Sequence, residues 1–201
     1  MGVHLSKTSH IIFFVVILPA MSVALAWLFS FVIQNPPFWL ETLSPLLAYG
    51  LLYKFFDKHL WHWRIFRLAG ITVCSDLRGR WHGFQRSSFE DAEGKNVMVE
   101  SYLEIRQSFS SVSVCAYYKK SQSASVTASF GETTNGNYLY YTYDNDPNSL
   151  KEGTMQTHKG TTKLQCVPEN KLVGVYFNSI GNQGEMTFDY AGSKLLGRFA
   201  D

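Results

Sequence analysis

The chain has 201 residues, of which 46% are hydrophobic and 15% aromatic, so disorder of the polar, highly charged kind is excluded. Its 18 basic and 16 acidic residues leave a net charge of +2, and residues 65–201 carry as many acidic as basic side chains. A neutral domain lacks the basic face with which proteins bind duplex nucleic acid, so that class of partner is not expected.

The first predicted element is a membrane span over residues 11–33, an uncharged run of 23 residues. At about 1.5 Å per residue, a helix of this length reaches roughly 35 Å, enough to cross a hydrocarbon core of ~30 Å. The alternative is a cleaved signal peptide, with Ala24-Leu25-Ala26 as its cleavage site. The apolar run continues to Ile33 and a second hydrophobic stretch follows, which favours the span.

A second, weaker span is predicted over residues 38–56, with a short periplasmic turn over residues 34–37 between the two. Lys54 lies near its end, where a charged group can reach the headgroups. Glu41 lies about one turn in, either at the headgroup level or as a polar feature of an assembled helix bundle. A buried core helix is the alternative, but this stretch has no domain of its own in which to be buried. The sequence therefore predicts a helical hairpin in the membrane.

The basic residues set the orientation of that hairpin. The turn over residues 34–37 has none, whereas Lys7 precedes the first span and several basic residues follow the second. By the positive-inside rule, the N-terminus (residues 1–10) and everything after the second span are cytoplasmic. Three widely spaced cysteines without a CxxC pair agree, because they indicate free thiols in a reducing compartment rather than a disulfide framework or zinc site. They are Cys74, Cys115 and Cys166.

Residues 57–70 mix basic, histidine and aromatic side chains and predict a juxtamembrane linker helix, with Trp61 and Trp63 as anchors at the membrane interface. From residue 71 the chain changes to short alternating runs separated by turn signals. Eight strands are predicted, over residues 77–87, 96–109, 111–119, 123–133, 137–144, 161–167, 172–178 and 184–191.

No helical run after Gly70 is long enough to cross between parallel strands, so the eight strands form an antiparallel meander. Closure into a small barrel that holds one ligand removes the open edges, and a two-sheet sandwich is the alternative. Gly79 and Gly83 in the first strand indicate sharp bends or a close backbone approach. The longest connection, residues 145–159, is predicted as a loop at the barrel rim.

No catalytic motif is present: the sequence has no nucleophile elbow, zinc-binding helix, P-loop or dinucleotide fingerprint. The barrel region has only two histidines, His82 and His158, and they are far apart in the sequence. The prediction is a binding protein rather than an enzyme, with no metal site. Its many tyrosines suit that role, since their faces stack on planar bases.

Two spans joined by a tiny loop and followed by eight strands resemble the two-transmembrane, β-strand-rich CD-NTase-associated membrane effectors of CBASS anti-phage defence. The local patterns that carry the resemblance are Asp-Leu-Arg-Gly-Arg-Trp-His-Gly at 76–83, His-Lys-Gly at 158–160, Leu-Val-Gly-Val-Tyr-Phe at 172–177 and Gly-Glu-Met at 184–186. The resemblance implies that the cytoplasmic barrel binds a cyclic dinucleotide made by a partner nucleotidyltransferase.

The same resemblance implies that ligand binding makes the spans of several copies associate and disrupt the bacterial inner membrane, which kills the infected cell. The cyclic dinucleotide is then an activating ligand, no other cofactor is expected, and the partners are membrane lipids and further copies of the chain. Two alternatives remain open. One is a membrane-anchored, lipocalin-like barrel that carries an apolar molecule, and the other is an adaptor whose barrel binds a protein.

Strand alternation places Trp81 on the inward face with Gly79 and Gly83, while Arg80 and His82 point outward unless they lie at the rim. Arg106 and His158 are candidates for phosphate contact. Four further side chains, Tyr118, Thr127, Tyr140 and Tyr176, are predicted to point inward or lie at the rim. The predicted ligand-binding residues are therefore Arg80, Trp81, Arg106, Tyr118, Thr127, Tyr140, His158 and Tyr176.

Overall fold

The computed structural model describes residues 3–32, 45–72, 75–91, 93–147 and 157–199. The chain divides into two compact units. One comprises residues 1–73 together with Ser108–Ser110, and the other comprises residues 74–107 and 111–201. The first unit is helical and the second is a β-barrel.

The helical unit begins with α1, Val3–Ile12, which runs through a π-helical stretch, Phe13–Ile17, into α2, Leu18–Val32. Within it, the 24 residues Thr8–Phe31 are long and apolar enough to cross a membrane. The polar Ser22 is satisfied inside this helix, since its hydroxyl donates to the Leu18 carbonyl at 2.7 Å. The first predicted span is therefore supported as a membrane-associated helix.

The second predicted span, residues 38–56, starts outside the described residues. The described part of it is α3, Pro45–Phe55, and among the described residues only Thr8–Phe31 qualifies as a candidate span. The helical hairpin, its periplasmic turn and its orientation thus stay predictions. Tyr49 on α3 does reach back to the first helix, where its hydroxyl donates to the Phe14 carbonyl at 3.4 Å.

The predicted linker helix over residues 57–70 is broken into two pieces. A π-helical turn, Phe56–Leu60, is followed by α4, Arg64–Leu68, because Trp63 between them has an extended backbone. Trp61 also lacks the exposed side chain that an anchor at the membrane interface needs. Its side chain is only 1% exposed, whereas that of Trp63 is 53% exposed.

Aromatic rings form the interior of the helical unit where its two chain segments meet. Phe56 lies 5.1 Å from Phe13, 5.0 Å from Phe66 and 5.2 Å from Phe109, measured between ring centroids. Asp57 fixes Ser108–Ser110 in this unit, because its carboxylate accepts the Ser108 hydroxyl at 3.0 Å and the Ser110 amide at 2.7 Å. Offset and edge-to-face ring pairs of this kind add to the free energy of burial.

The second unit is a closed antiparallel barrel in which each strand pairs with its neighbours in sequence and β8 pairs with β1. This confirms the eight-stranded barrel and excludes the sandwich. The strands are β1 Gly79–Glu90, β2 Asn96–Gln107, β3 Val112–Tyr118, β4 Ser121–Thr133, β5 Gly136–Pro147, β6 His158–Val167, β7 Lys171–Asn178 and β8 Gln183–Gly192.

Several predicted strand boundaries differ from the structure by two or three residues. The expected rim loop over residues 145–159 is shorter, because Asn145 pairs with His158 and both belong to strands. β1 also begins later than expected, at Gly79, whose φ of +129° is a conformation that favours glycine. A side chain at Gly83 would meet the Thr187 carbonyl oxygen, so the close approach predicted there is confirmed.

One end of the barrel is filled by apolar side chains. Trp81 points inward as predicted, and its indole donates to the Leu77 carbonyl at 3.0 Å. Leu103, Leu164 and Phe188 are fully buried beside it. The opposite end of the barrel, which we call the mouth, is less densely filled and holds a cavity.

On the outer wall, a buried ion pair lies beneath residues 193–199, which follow β8. Glu104, on β2, is fully buried, and its carboxylate accepts a hydrogen bond from the Arg80 guanidinium at 2.6 Å. The same carboxylate accepts the backbone amides of Leu196 at 2.6 Å and Gly197 at 3.0 Å. Arg80 also donates to the Arg198 carbonyl at 2.9 Å. This pair anchors the C-terminal segment to the wall.

Candidate functional site: the barrel mouth

The mouth holds a cavity of about 290 Å³. Strand ends from most of the barrel converge on it, because antiparallel neighbours place the end of one strand beside the start of the next. Strand residues supply most of its lining, and the short β3–β4 turn supplies the rest. The lining residues are Gln85, Val99, Tyr118, Lys119, Lys120, Ser121, Tyr143, Asn145, His158, Tyr176 and Asn178.

The mouth carries positive charge. Lys119 and Lys120 form the turn between β3 and β4, and His158 begins β6 across the opening. None of the described lining residues is acidic. A concave site lined by charge of one sign concentrates its field, so this cavity attracts anions.

Hydroxyl and amide groups line the same cavity as Lys119, Lys120 and His158. The Tyr118 hydroxyl donates to the Gln85 side-chain oxygen at 3.2 Å, and the Tyr176 hydroxyl donates to Ser87 at 2.9 Å. The ring of Tyr143 lies edge-on to His158, with 6.5 Å between ring centroids. Flat rings and hydrogen-bonding groups thus line the same cavity, as expected of a site for a polar aromatic ligand.

Burial raises the pKa of three phenols in and below the mouth. It raises the pKa of Tyr118 well above its ordinary value, and the neighbouring phenols raise that pKa further. Burial likewise raises the pKa of Tyr143 and raises that of Tyr141, one layer deeper, to about 12. Near neutral pH these groups are therefore hydrogen-bond donors without charge.

These shifts predict a loss of barrel stability in alkali. A phenol whose pKa is higher in the folded chain than in the unfolded one stabilises the fold fully below pH ~10, and this contribution is lost as the pH rises. For Tyr141 the loss runs from about pH 10 to about 12. Denaturant titrations across this range should show stability falling by up to ~1.4 kcal/mol per pH unit for each phenol. Tyr141→Phe should flatten the profile, and an unchanged slope would contradict this assignment.

The structure brings three of the predicted ligand-binding residues together at the mouth: Tyr118, His158 and Tyr176. Trp81 points into the barrel but lies in the packed closed end. The other four residues are on the outer wall. They are Arg80, Arg106, Thr127 and Tyr140.

Thr127 points outward because of a β-bulge. Ser125 pairs with the inward Tyr143, but Thr127 pairs with the outward Thr142, so Val126 is an extra residue between them. One extra residue reverses the alternation of every side chain that follows. The hydroxyls of Thr127 and Thr142 lie 2.8 Å apart on the outer wall.

Tyr140 points outward because the other face of β5 supplies the core, through Leu139, Tyr141 and Tyr143. Tyrosine occupies both faces of this strand, so polarity does not distinguish them. Arg80 is held by Glu104, and Arg106 is exposed on the wall, 3.9 Å from the Cys115 sulfur.

Sequence reasoning missed several mouth residues. Their common signal is position rather than residue type, because each lies in the half of a strand, or in the turn, on the same side of the barrel. A lysine pair in a tight turn was the most visible of them. The missed residues are Gln85, Val99, Lys119, Lys120, Ser121, Tyr143, Asn145 and Asn178.

A second hollow, of about 510 Å³, lies on the outer wall across β4 to β7. Val126 and Phe177 give it apolar surface, and Asp144 and Lys159 give it one charge of each sign. It meets the mouth at Tyr143 and Asn178, which line both. Its mixed charge gives it no preference for anions.

A closed eight-stranded barrel whose mouth is lined by lysines and tyrosines has the features of a receptor domain for a small ligand. Comparison with known families agrees: residues 72–190 match the model of the Cap15 cyclic dinucleotide receptor domain. The chain belongs to this family. The family resemblance read from the sequence is therefore confirmed, with its cyclic dinucleotide receptor domain and its association with CBASS.

One curated relative is the CD-NTase-associated protein 15 of Staphylococcus schleiferi. It is 29% identical to this chain over 145 residues, which cover 72% of this chain and 73% of the relative. The similarity thus extends over most of both proteins. The matching family is one of cyclic dinucleotide receptors, which agrees with the prediction of a binding protein.

Proposed function

We propose that this protein is a membrane effector of CBASS anti-phage defence. Its barrel mouth binds a cyclic dinucleotide made by a cognate CD-NTase. Binding drives association of the N-terminal helices of several copies in the bacterial inner membrane, and the damaged membrane ends the infection by killing the cell. The observation that carries the proposal is a mouth lined by two lysines and, among its described lining residues, by no acidic side chain, on a barrel of the Cap15 receptor family.

The size and charge of the mouth support this ligand. Its volume of about 290 Å³ is near the lower end of ligand pockets, roughly 300–1,000 Å³. We infer that one nucleobase and its ribose enter, with the ring stacked beside Tyr143 or Tyr176. The phosphodiesters then lie at the rim, where Lys119 and Lys120 bind their oxygens through charge-assisted hydrogen bonds and a ring N–H of His158 donates to them.

The helical unit supports the membrane half of the proposal. Large apolar side chains are exposed along α2, with Trp27 68% and Phe31 72% exposed, as expected of a surface that meets lipid or another helix. Gly50 on α3 has open space around it and allows a close helix approach. The ligand shifts the assembly only to the extent that it binds the associated state more tightly than the resting one.

A thermal-shift screen of the full chain in detergent tests the receptor half. The panel contains cyclic di- and trinucleotides with all four RNA bases, and a fatty acid and a retinoid represent apolar ligands. A cyclic dinucleotide at ~100 times its dissociation constant adds roughly 2.7 kcal/mol, which raises the unfolding temperature by several degrees. Stabilisation by the apolar compounds alone would favour the lipocalin-like carrier instead.

A leakage assay tests the membrane half. The full chain is reconstituted into dye-loaded vesicles made from bacterial phospholipids. The cyclic dinucleotide that shifts the unfolding temperature should release the dye, and a member of the panel that gives no shift should not. Binding without leakage would contradict membrane disruption and leave the receptor assignment standing.

A further inference from the structure

The barrel has an open strand edge along the second half of β4. The ladder between β3 and β4 ends at the pair Cys115 and Ala124. The ladder between β4 and β5 continues to Thr133, which pairs with Gly136. Within the part of the barrel that the structure describes, residues 127–133 therefore pair on one side only. We call this segment the β4 edge.

Two local features end the β3–β4 ladder. The Val114 amide donates to the side-chain oxygen of Ser125, at 3.0 Å, instead of to a backbone carbonyl. The bulge at Val126 follows directly and bends the strand. Beyond it, the backbone N–H and C=O groups of the β4 edge that point away from β5 have no ladder partner among the described residues.

The β4 edge lacks the usual protection against pairing with another strand. Natural open edges carry lysine, proline or inward-pointing charges that block edge-to-edge contact. Residues 127–131 are Thr-Ala-Ser-Phe-Gly and contain none of these. The first charged residue is Glu132, near the turn.

We propose that the β4 edge is a self-association surface, and that its partner is the same edge of a second copy, paired antiparallel about a twofold axis at Ser129. In that register Thr127 faces Gly131 and Ala128 faces Phe130. Each pair joins residues of equal parity, so the partly buried Ala128 and Phe130 stay on one face and the exposed Thr127 and Ser129 on the other. Each pair also sets a small residue against a larger or equal one.

The chemistry of the edge favours a second copy over a charged peptide. The central residues are uncharged, so the twofold brings no like charges together. A short strand pair covers much less surface than a stable interface needs, roughly 1,200–2,000 Å². The pairing should therefore be weak for isolated chains and stronger when two copies share a membrane, which raises their effective concentration.

Pairing at the β4 edge is argued from the strand ladders alone. Only its consequence, the association of copies that the ligand promotes, rests on the proposed function. The test of this pairing is a disulfide formed across the twofold. Opposite residues in an antiparallel pair have Cα atoms about 4.5–5.5 Å apart, which is within the range of a disulfide. The experiment uses the full chain in vesicles, with its three native cysteines replaced by serine and Ser129→Cys introduced.

The matched control is Thr187→Cys. Thr187 is also exposed on the outer wall, but it pairs with Phe84 on one side and Val173 on the other, so its strand has no open edge. Under mild oxidation, Ser129→Cys should give roughly tenfold more disulfide-linked dimer than Thr187→Cys. Equal yields from the two variants would overturn the proposal.

A second pair of variants measures association without any cysteine. Ser129→Lys places two lysines opposite each other across the twofold and should abolish the concentration-dependent energy transfer between labelled copies in vesicles. Thr187→Lys should leave it unchanged. If Ser129→Lys associates like the unaltered chain, the β4 edge is not the interface. Ligand-dependent leakage that persists in that variant would show that the proposed function holds while this surface assignment fails.

Discussion

Replacing Glu104 with alanine is expected to lower the free energy of unfolding of the barrel by about 3–5 kcal/mol. The change leaves the Arg80 guanidinium buried without its counter-ion, since the Arg80 side chain is only 6% exposed. It also leaves the amides of Leu196 and Gly197 without their acceptor. Denaturant unfolding of the full chain in detergent measures the effect, and digestion of the C-terminal segment by a carboxypeptidase should become faster.

Glu100→Ala is the matched control. Glu100 is on the same strand and the same outer face, and its carboxylate lies 2.7 Å from His82, but its side chain is 46% exposed. An exposed pair of this kind contributes ~0–1 kcal/mol. If the two variants lost similar stability, the buried pair would not anchor the C-terminal segment.

The second large effect concerns the charge at the mouth. The double substitution Lys119→Ala and Lys120→Ala is expected to weaken cyclic dinucleotide binding about 100-fold, or ~3 kcal/mol, because each charged hydrogen bond to a phosphate contributes about 1.5–3 kcal/mol. Isothermal titration with the best ligand from the screen measures the change. Raising the ionic strength should weaken binding to the unaltered chain more than to the variant.

Lys163→Ala with Lys171→Ala removes the same charge from the outer wall. Lys163 lies over the Tyr138 ring at 4.4 Å, and Lys171 lies 3.5 Å from the Asp189 carboxylate. We expect this control to bind the ligand like the unaltered chain. An equal loss of affinity in the two double variants would mean that net charge, rather than the mouth, controls binding.

The sequence was sufficient to predict the eight strands and their antiparallel order. Alternation and turn signals are local properties, and closure follows because pairing β1 with β8 leaves neither terminal strand as an open edge. The inward face of β1 was also predicted correctly, since Gly79, Trp81 and Gly83 share one parity and the barrel leaves no room for a side chain at Gly83.

The side-chain directions of β4 and β5 were not predictable in the same way. The bulge at Val126 reverses the alternation and has no marker such as glycine or proline in the sequence. In β5, tyrosines occupy both faces, so Tyr140 could not be distinguished from Tyr141 and Tyr143 by polarity. Glu104 is buried because the distant residues Leu196 and Gly197 cover it and donate their amides to it, and no local sequence pattern predicts that contact.

The mouth itself was only partly predictable for a geometric reason. Whether a residue lines the mouth depends on which parts of the strands lie on the same side of the barrel. Knowing this requires the pairing register of all eight strands. Tyr118, His158 and Tyr176 were identified by chemistry, whereas Val99 and Ser121 have no chemistry that marks them. Polar residue type alone also selected Arg106, which lies on the wall.

We expect the mouth, and not the outer hollow, to bind the cyclic dinucleotide. One titration tests it most directly: the affinity of the best ligand for Val99→Trp, which fills the mouth, and for Val126→Trp, which fills the outer hollow. We expect Val99→Trp to abolish binding while its unfolding temperature stays close to that of the unaltered chain, and Val126→Trp to bind normally. Normal binding to Val99→Trp together with loss of binding to Val126→Trp would place the ligand on the outer wall and contradict this account.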